Sequence, residues 1–281
     1  MPELPEVEHT RKNLERWLRG ARIGKVHTSD ARIVRPSSPR SFVRRLEGRT
    51  VKRIDRRGKW LRLELDDGRL FVHLGMTGWF AHASEAGTNP LMSAKGGPES
   101  PFRFERVRLD VEREGRRWSI VYVDPRRWGR MVLSDGDIDE WTELGPDPLV
   151  DGVDVDALAV KLARRRSRSI KEALLDQTVL AGVGNVQATE ALWKAGIDPR
   201  SRASTVTKAD LRAIARGIRW TIERTLSNLD KARPARFSVY GRRGEPCPRC
   251  GARLERVELG GRSTTLCPRC QASRSRDRSS P

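Results

Sequence analysis

CPRCGARLERVELGGRSTTLCPRC, residues 247–270, decides how the C-terminal part of the chain folds. Two identical Cys-Pro-Arg-Cys knuckles, Cys247 to Cys250 and Cys267 to Cys270, stand sixteen residues apart. That is the spacing of a four-thiolate zinc site, and Gly260-Gly261 between them offers the tight hairpin turn that lets both knuckles converge on one tetrahedral ion. The chain has no other cysteine, and in a reducing compartment such a set binds metal rather than forming disulfides. Four protein ligands leave no open position, so one Zn2+ is expected to be structural. The hairpin also carries Arg253, Arg256 and Arg262, guanidinium groups suited to phosphate.

Upstream of the ribbon the periodicity is helical. LGPDPLVDG (144–152) reads as a linker. Asp154 is placed to cap a helix through about Arg164, Ser169 with Glu172 forms a capping box for the next, and Thr207 with Asp210 starts a long helix ending near Ser227. In Gly182-Val183-Gly184-Asn185 a glycine-rich turn opens directly into a helix, whose free N–H groups and dipole favour an anion. On its own an ordinary glycine-rich turn reads the same way. The basic run from Lys161 to Lys171 and the ribbon downstream favour a phosphate.

Further upstream, from about Arg22 to Leu133, the pattern changes to short alternating runs, KWLRLEL, LFVHLGM, VRLDVE and WSIVYV, separated by turn sequences. These are strands. Ala83 to Pro101, rich in Gly, Ser and Pro, is expected to be a mobile loop. Ahead of the strands, Val7, Leu14, Trp17 and Leu18 share one helical face, with Pro5 suited to an early helical position. The tail QASRSRDRSSP holds no core-forming residues and is expected to be disordered.

Composition narrows the partner. Of 281 residues, 56 are Lys or Arg against 37 Asp or Glu, a net charge of +19 that draws in polyanions. No apolar run approaches the roughly 20 residues needed to span a bilayer. MPELPEVEHT lacks the apolar stretch of a signal peptide, so a cytoplasmic, nucleoid-associated location is expected.

Taken in order, MPELPEVE, RRGKWL, HLGMTG, DPRRWG, LLDQTVLAGVGNVQATEALWKAGI and VYGRRGEPCPRCG resemble the formamidopyrimidine-DNA glycosylase family, which includes the endonuclease VIII-type enzymes. The resemblance implies an α+β fold: an N-terminal helix and β-sandwich (1–134), a linker (135–152), a helix-two-turn-helix domain (153–232), a zinc ribbon (233–271) and a tail (272–281). It also implies a monomeric, bifunctional DNA glycosylase and apurinic/apyrimidinic lyase of base excision repair. The implied partner is double-stranded DNA holding a damaged base or abasic site.

In that family the initiating methionine is removed and the new N-terminal proline is the nucleophile, which gives the role to Pro2. An α-amine titrates roughly 2.5 units below a lysine, so more of it is free near neutrality. Glu3 resembles the acid/base carboxylate and Glu6, a turn later, helps position the sugar or the amine. Acidity at a helix start would also put carboxylates there. Lys59, in RRGKWL at a strand end, matches a lysine contacting phosphate near the lesion. Asn185 and Arg262 match two phosphate clamps. Arg127 is assigned a backbone phosphate, and Lys171 either a further contact or a solvated place on its helix. Met76, Arg126 and Trp128 match the trio that fills the gap left by an extruded nucleotide, with Trp128 in place of the more usual Phe; as isolated residues, Met76 and Trp128 read as core.

Two departures leave the lesion open. Members favouring 8-oxoguanine have a longer loop ahead of VYGR, where this chain has only LSNLDKARPARFSV. Gln187-Ala188-Thr189 also differs from the more familiar sequence there. Formamidopyrimidines, 8-oxoguanine and oxidised pyrimidines are all compatible, the last as an endonuclease VIII-like activity. A non-catalytic binder of damaged DNA would keep the clamp without needing Pro2, Glu3 and Glu6, and a zinc-dependent regulator would bind by sequence rather than by lesion.

Overall fold

The structure, a computed structural model, describes residues 2–28, 30–83 and 104–272. Most of the expected loop from Ala83 to Pro101 and nearly all of the expected tail lie outside those residues. The chain divides into two compact units, Met1–Glu143 with Thr225–Ala235, and Leu144–Arg224 with Arg236–Pro281.

In the first unit, α1 (Leu4–Leu18) begins at Glu3, with Pro5 in its first turn and Leu4, Val7, Leu14 and Leu18 fully buried on one face. It packs against β2 (Val51–Arg57), β3 (Trp60–Leu65) and β5 (Trp79–His82). Two antiparallel sheets follow. One runs β1-β6-β7-β5, with β1 at Arg22–His27, β6 at Glu105–Arg113 and β7 at Arg116–Val123. The other runs β2-β3-β4-β8, with β4 at Arg69–His73 and β8 at Arg130–Ser134. Alternate residues of both sheets, among them Ile23, Leu109 and Ile120 from one and Ile54, Leu63 and Val72 from the other, meet in a single core with α1. This is the sandwich layer arrangement.

One element was not in the strand reading: α2, Pro39–Leu46, lies between β1 and β2. Ser38 caps it by accepting from the Ser41 N–H, and Pro39 takes an early helical position. Phe42 and Leu46 are its buried anchors. A single helical turn, α3 (Asp139–Thr142), follows β8.

In the second unit, Asp154 caps α4 (Val155–Ala163) by accepting from the N–H groups of Asp156 and Ala157. Ser169 and Glu172 close the expected capping box on α5 (Ile170–Leu175). Gly184 precedes α6 (Asn185–Ala195), and Gly196 ends it in the left-handed conformation. α7 runs from Lys208 to Asp230, past the expected end at Ser227. Its last turns belong to the first unit, where Asp230 pairs with His9 and Lys12. β9 (Glu255–Leu259) and β10 (Arg262–Leu266) form the hairpin of the ribbon. Its two-residue turn, Gly260-Gly261, has positive φ at both positions, the conformation of a type I′ turn that glycine adopts without strain. Among the described residues no helix is long and apolar enough to cross a membrane.

Candidate nucleic-acid and metal sites

At the start of α1 the chain concentrates carboxylates around Pro2. Glu3 is buried, and its backbone N–H donates to the Glu6 carboxylate at 2.9 Å. Burial, with the nearby Glu3 charge, pushes the Glu6 carboxyl up to about 7. A carboxyl that titrates near neutrality can both take up and release a proton at physiological pH.

α1 is bolted to the β2–β3 turn by an ion triad that the sequence did not single out. The Arg56 guanidinium, buried, donates to Glu8 at 2.8 Å and to the Gly58 carbonyl at 3.1 Å, while Arg11 donates to the other edge of Glu8 at 2.9 Å. Burial alone would raise the Glu8 carboxyl, but the two arginines hold it below the usual carboxylate range. Lys59 follows Gly58 in that two-residue turn, so it sits at the hairpin tip rather than on a strand end. His73, paired across from Trp60, was also missed. Burial, then the charges of Lys59 and Arg130, press its pKa down to about 4. Its Nδ1 accepts the Gly75 N–H at 3.1 Å, which leaves the proton of the neutral ring on Nε2.

The structure brings Met76, Arg126 and Trp128 to two loops organised by one residue, Asp124. Its fully buried carboxylate accepts from the Thr77 hydroxyl at 2.6 Å and from the N–H groups of Arg126, Trp128 and Gly129 at 3.2, 2.9 and 2.8 Å. The loops touch through Gly75, where a Cβ would lie 2.4 Å from the Trp128 carbonyl carbon. Arg126 stacks on the Trp128 ring at 3.8 Å, and Trp128 is 53% exposed, so it is not a core residue. Arg127, exposed and at positive φ, pairs loosely with Asp30 at 3.7 Å. The signal for Asp124 was its place at the head of DPRRWG, where Asp commonly accepts from the backbone two residues on.

In the second unit, Asn185 is the first residue of α6. Its amide donates to the Ser263 carbonyl at 3.1 Å. Lys171 is completely buried, not solvated, and its ammonium donates to Asn185 Oδ1 and to the Thr264 hydroxyl, each at 2.5 Å. The lysine thus ties α5, α6 and β10 together. Arg262, at the start of β10, is exposed. Glu190, buried on α6, accepts from the N–H groups of Ser238, Val239 and Tyr240, each at 2.8 Å, and so anchors the end of the short connection after α7. Gln187 and Thr189 are both buried in α6.

The four cysteine sulfurs lie within 4.8 Å of one another, with Cys247 to Cys270 at 3.9 Å and Cys250 to Cys267 at 3.5 Å. A tetrahedron with zinc–sulfur bonds of about 2.3 Å needs sulfurs roughly 3.8 Å apart. The set therefore fits one structural zinc. Burial works against ionising Cys247, yet the backbone N–H groups of Arg249 and Cys250 and the indole of Trp193 bring its thiol down to about 6.

Comparison with known proteins agrees over most of the chain. Family models match residues 1–131 (formamidopyrimidine-DNA glycosylase N-terminal domain), 144–233 (formamidopyrimidine-DNA glycosylase H2TH domain) and 244–272 (zinc finger found in FPG and IleRS). The formamidopyrimidine-DNA glycosylase of Stutzerimonas stutzeri is 37% identical over 276 residues, covering 92% of this chain and 96% of that protein. That of Moorella thermoacetica is 37% identical, covering 92% and 94%. Among solved structures, the MutM (Fpg) protein of Thermus thermophilus aligns with a TM-score of 0.77 and 34% identity, covering 96% of this chain and 98% of that one. The Lactococcus lactis enzyme bound non-covalently to abasic-site DNA aligns with a TM-score of 0.80 and 28% identity, covering 96% and 99%. The chain belongs to the formamidopyrimidine-DNA glycosylase family.

Proposed function

We propose that the chain excises oxidised bases from double-stranded DNA and then cuts the strand, using Pro2 as nucleophile once Met1 is removed. The observation that carries this reading is the amino terminus itself: Pro2 adjoins a buried Glu3 and a Glu6 whose carboxyl titrates at about 7. A binding protein has no need of that arrangement.

The Pro2 nitrogen gives its lone pair to C1′ of the damaged nucleotide, and the glycosidic bond breaks toward the base, which takes up a proton. The attacking amine sheds its proton, the C1′–O4′ bond breaks with a proton passing to O4′, and the cationic iminium left at C1′ acts as an electron sink. Loss of a C2′ proton expels the 3′ phosphate, and a second elimination expels the 5′ phosphate. Glu3 serves as the acid/base at the sugar, and Glu6 accepts the proton that the Pro2 amine must shed. Lys59, Arg127, Asn185 and Arg262 hold phosphates, and Lys171 acts through Asn185 rather than on DNA. Met76, Arg126 and Trp128 enter the gap that base extrusion opens, offsetting an unstacking cost of roughly a few kcal/mol. The zinc holds the ribbon that presents Arg262.

Formamidopyrimidines are the proposed preferred lesion. The connection from Lys231 to Ser238 is short and is pinned at its end by Glu190, which leaves little chain to close over an extruded 8-oxoguanine. The protein works as a monomer in the cytoplasm, on the nucleoid.

Borohydride trapping on an abasic-site duplex tests the nucleophile. Wild type should give a covalent adduct, and Pro2→Ala should bind the duplex but cut it poorly. Active protein that still carries Met1, shown by mass spectrometry, would overturn the assignment. Duplexes bearing formamidopyrimidine, 8-oxoguanine or an oxidised pyrimidine should be cut in that order of rate.

A further inference from the structure

Tyr122, on β7, is paired with Phe80 of β5 and Val107 of β6 and is completely buried, its ring 5.1 Å from that of Phe80. Its hydroxyl faces two acceptors, the Leu74 carbonyl at 3.3 Å and Asp124 Oδ2 at 3.4 Å. Each acceptor closes one of the two loops that carry the gap-filling side chains. The Leu74 carbonyl also takes the Gly78 N–H at 3.0 Å, which closes the turn bearing Met76. Asp124 Oδ2 also takes the Trp128 and Gly129 N–H groups, which closes the turn bearing Arg126 and Trp128. Burial, then the Asp124 charge, raises the Tyr122 pKa well above that of an ordinary tyrosine. The group is therefore a protonated donor at neutral pH.

Both loops also make room for this one oxygen. A Cβ built on Gly78 or on Gly129 would lie closer than 3.0 Å to it. Neither glycine has a positive φ, so what these positions require is close approach to the phenol rather than backbone freedom. The hydroxyl thus fills the seam between the Met76 loop and the Arg126–Trp128 loop, and strand pairing on either side fixes the ring behind it.

We infer that Tyr122 is a positioning residue of the wedge, its hydroxyl setting the spacing of the two loops so that Met76 and the Arg126–Trp128 pair enter the duplex together. The inference rests on the gap-filling role given to those side chains in the proposed function, and not on the chemistry at Pro2. Tyr122→Phe removes the shared oxygen and keeps the ring, while the Thr77–Asp124 hydrogen bond stays in place.

The test uses the full-length, zinc-loaded chain with Tyr122→Phe, with Gly129→Ala and with both. The duplex carries a non-cleavable tetrahydrofuran abasic analogue with 2-aminopurine next to it, a base that brightens when unstacked, so rapid mixing times wedge entry with no bond cut. At saturating protein Tyr122→Phe should slow that first-order step about 3- to 10-fold, the worth of one buried hydrogen bond. A merely structural loss would shrink the amplitude through the folded fraction and leave the rate alone. Gly129→Ala should slow the step further, and adding Tyr122→Phe to it should recover part of the loss, because the clash with the oxygen is gone. An unchanged rate in Tyr122→Phe, or a Gly129→Ala defect that Tyr122→Phe deepens, would overturn the inference. Wild type that shows the unstacking step yet cuts no lesion duplex would sink the proposed excision and leave this inference standing, whereas wild type without the step would overturn it together with the wedge.

Discussion

Glu6 binds its proton more tightly folded than unfolded, because burial and the Glu3 charge oppose ionisation. The sign follows: between about pH 4.5 and 7 the folded state holds more proton, so stability falls as pH rises, and above about 7 the buried charge is fully present. Glu6→Gln, neutral throughout, should melt a few degrees above wild type at about pH 8 and no higher at about pH 4, as thermal denaturation would show. Strand cutting by wild type should climb as pH passes about 7, a rise the variant lacks. The four cysteines were legible because chemistry and spacing coincide in a short motif, whereas Pro2, Glu3 and Glu6 stand out in the sequence only through the family resemblance. Asp124, His73 and the Glu8–Arg56–Arg11 triad were not legible. Their meaning lies in donors that converge from distant positions, such as the Thr77 hydroxyl and the Gly129 N–H on one carboxylate.

Among the elements, α5, α6 and β10 meet at the Lys171 ammonium, and this junction distinguishes a group that touches phosphate from one that positions another. Lys171→Met should weaken binding to an abasic-site duplex while leaving the dependence of log K on log salt nearly unchanged. Arg262→Ala should reduce that slope by about one. Titrations at several salt concentrations read both. Three helix starts were read correctly from their capping residues, Asp154, Ser169 and Thr207. α2 was passed over because PRSFVRRL carries few apolar residues in an arginine-rich run, and Ser38-Pro39 was its only start signal. The end of α7 was placed too early because the turns beyond Ser227 are held by tertiary contacts of Asp230, a hydrogen bond with His9 and an ion pair with Lys12, which periodicity does not show.

For the whole molecule, +19 charges predict DNA binding that weakens steeply with salt. The zinc ribbon predicts something more local. Metal-binding free energy is folding free energy for so small a module, so chelation should unfold the hairpin around residues 255–266 and abolish lesion binding. The unit built on Met1–Glu143 should keep its own melting transition, since no zinc ligand lies in it. Calorimetry with and without chelator separates the two. The order of modules was legible because composition and periodicity change sharply between them. The sheet orders β1-β6-β7-β5 and β2-β3-β4-β8 were not, since strands as far apart as β1 and β6 pair across most of the unit.

The side chain of Trp128 stands apart from Trp17, Trp60, Trp79, Trp141 and Trp193, all of which are buried. It should therefore be the first indole reached by acrylamide. Stacked between bases it would lose both that accessibility and much of its emission, so stopped-flow fluorescence, compared with Trp128→Phe, should time the wedge's entry into the duplex with no added dye.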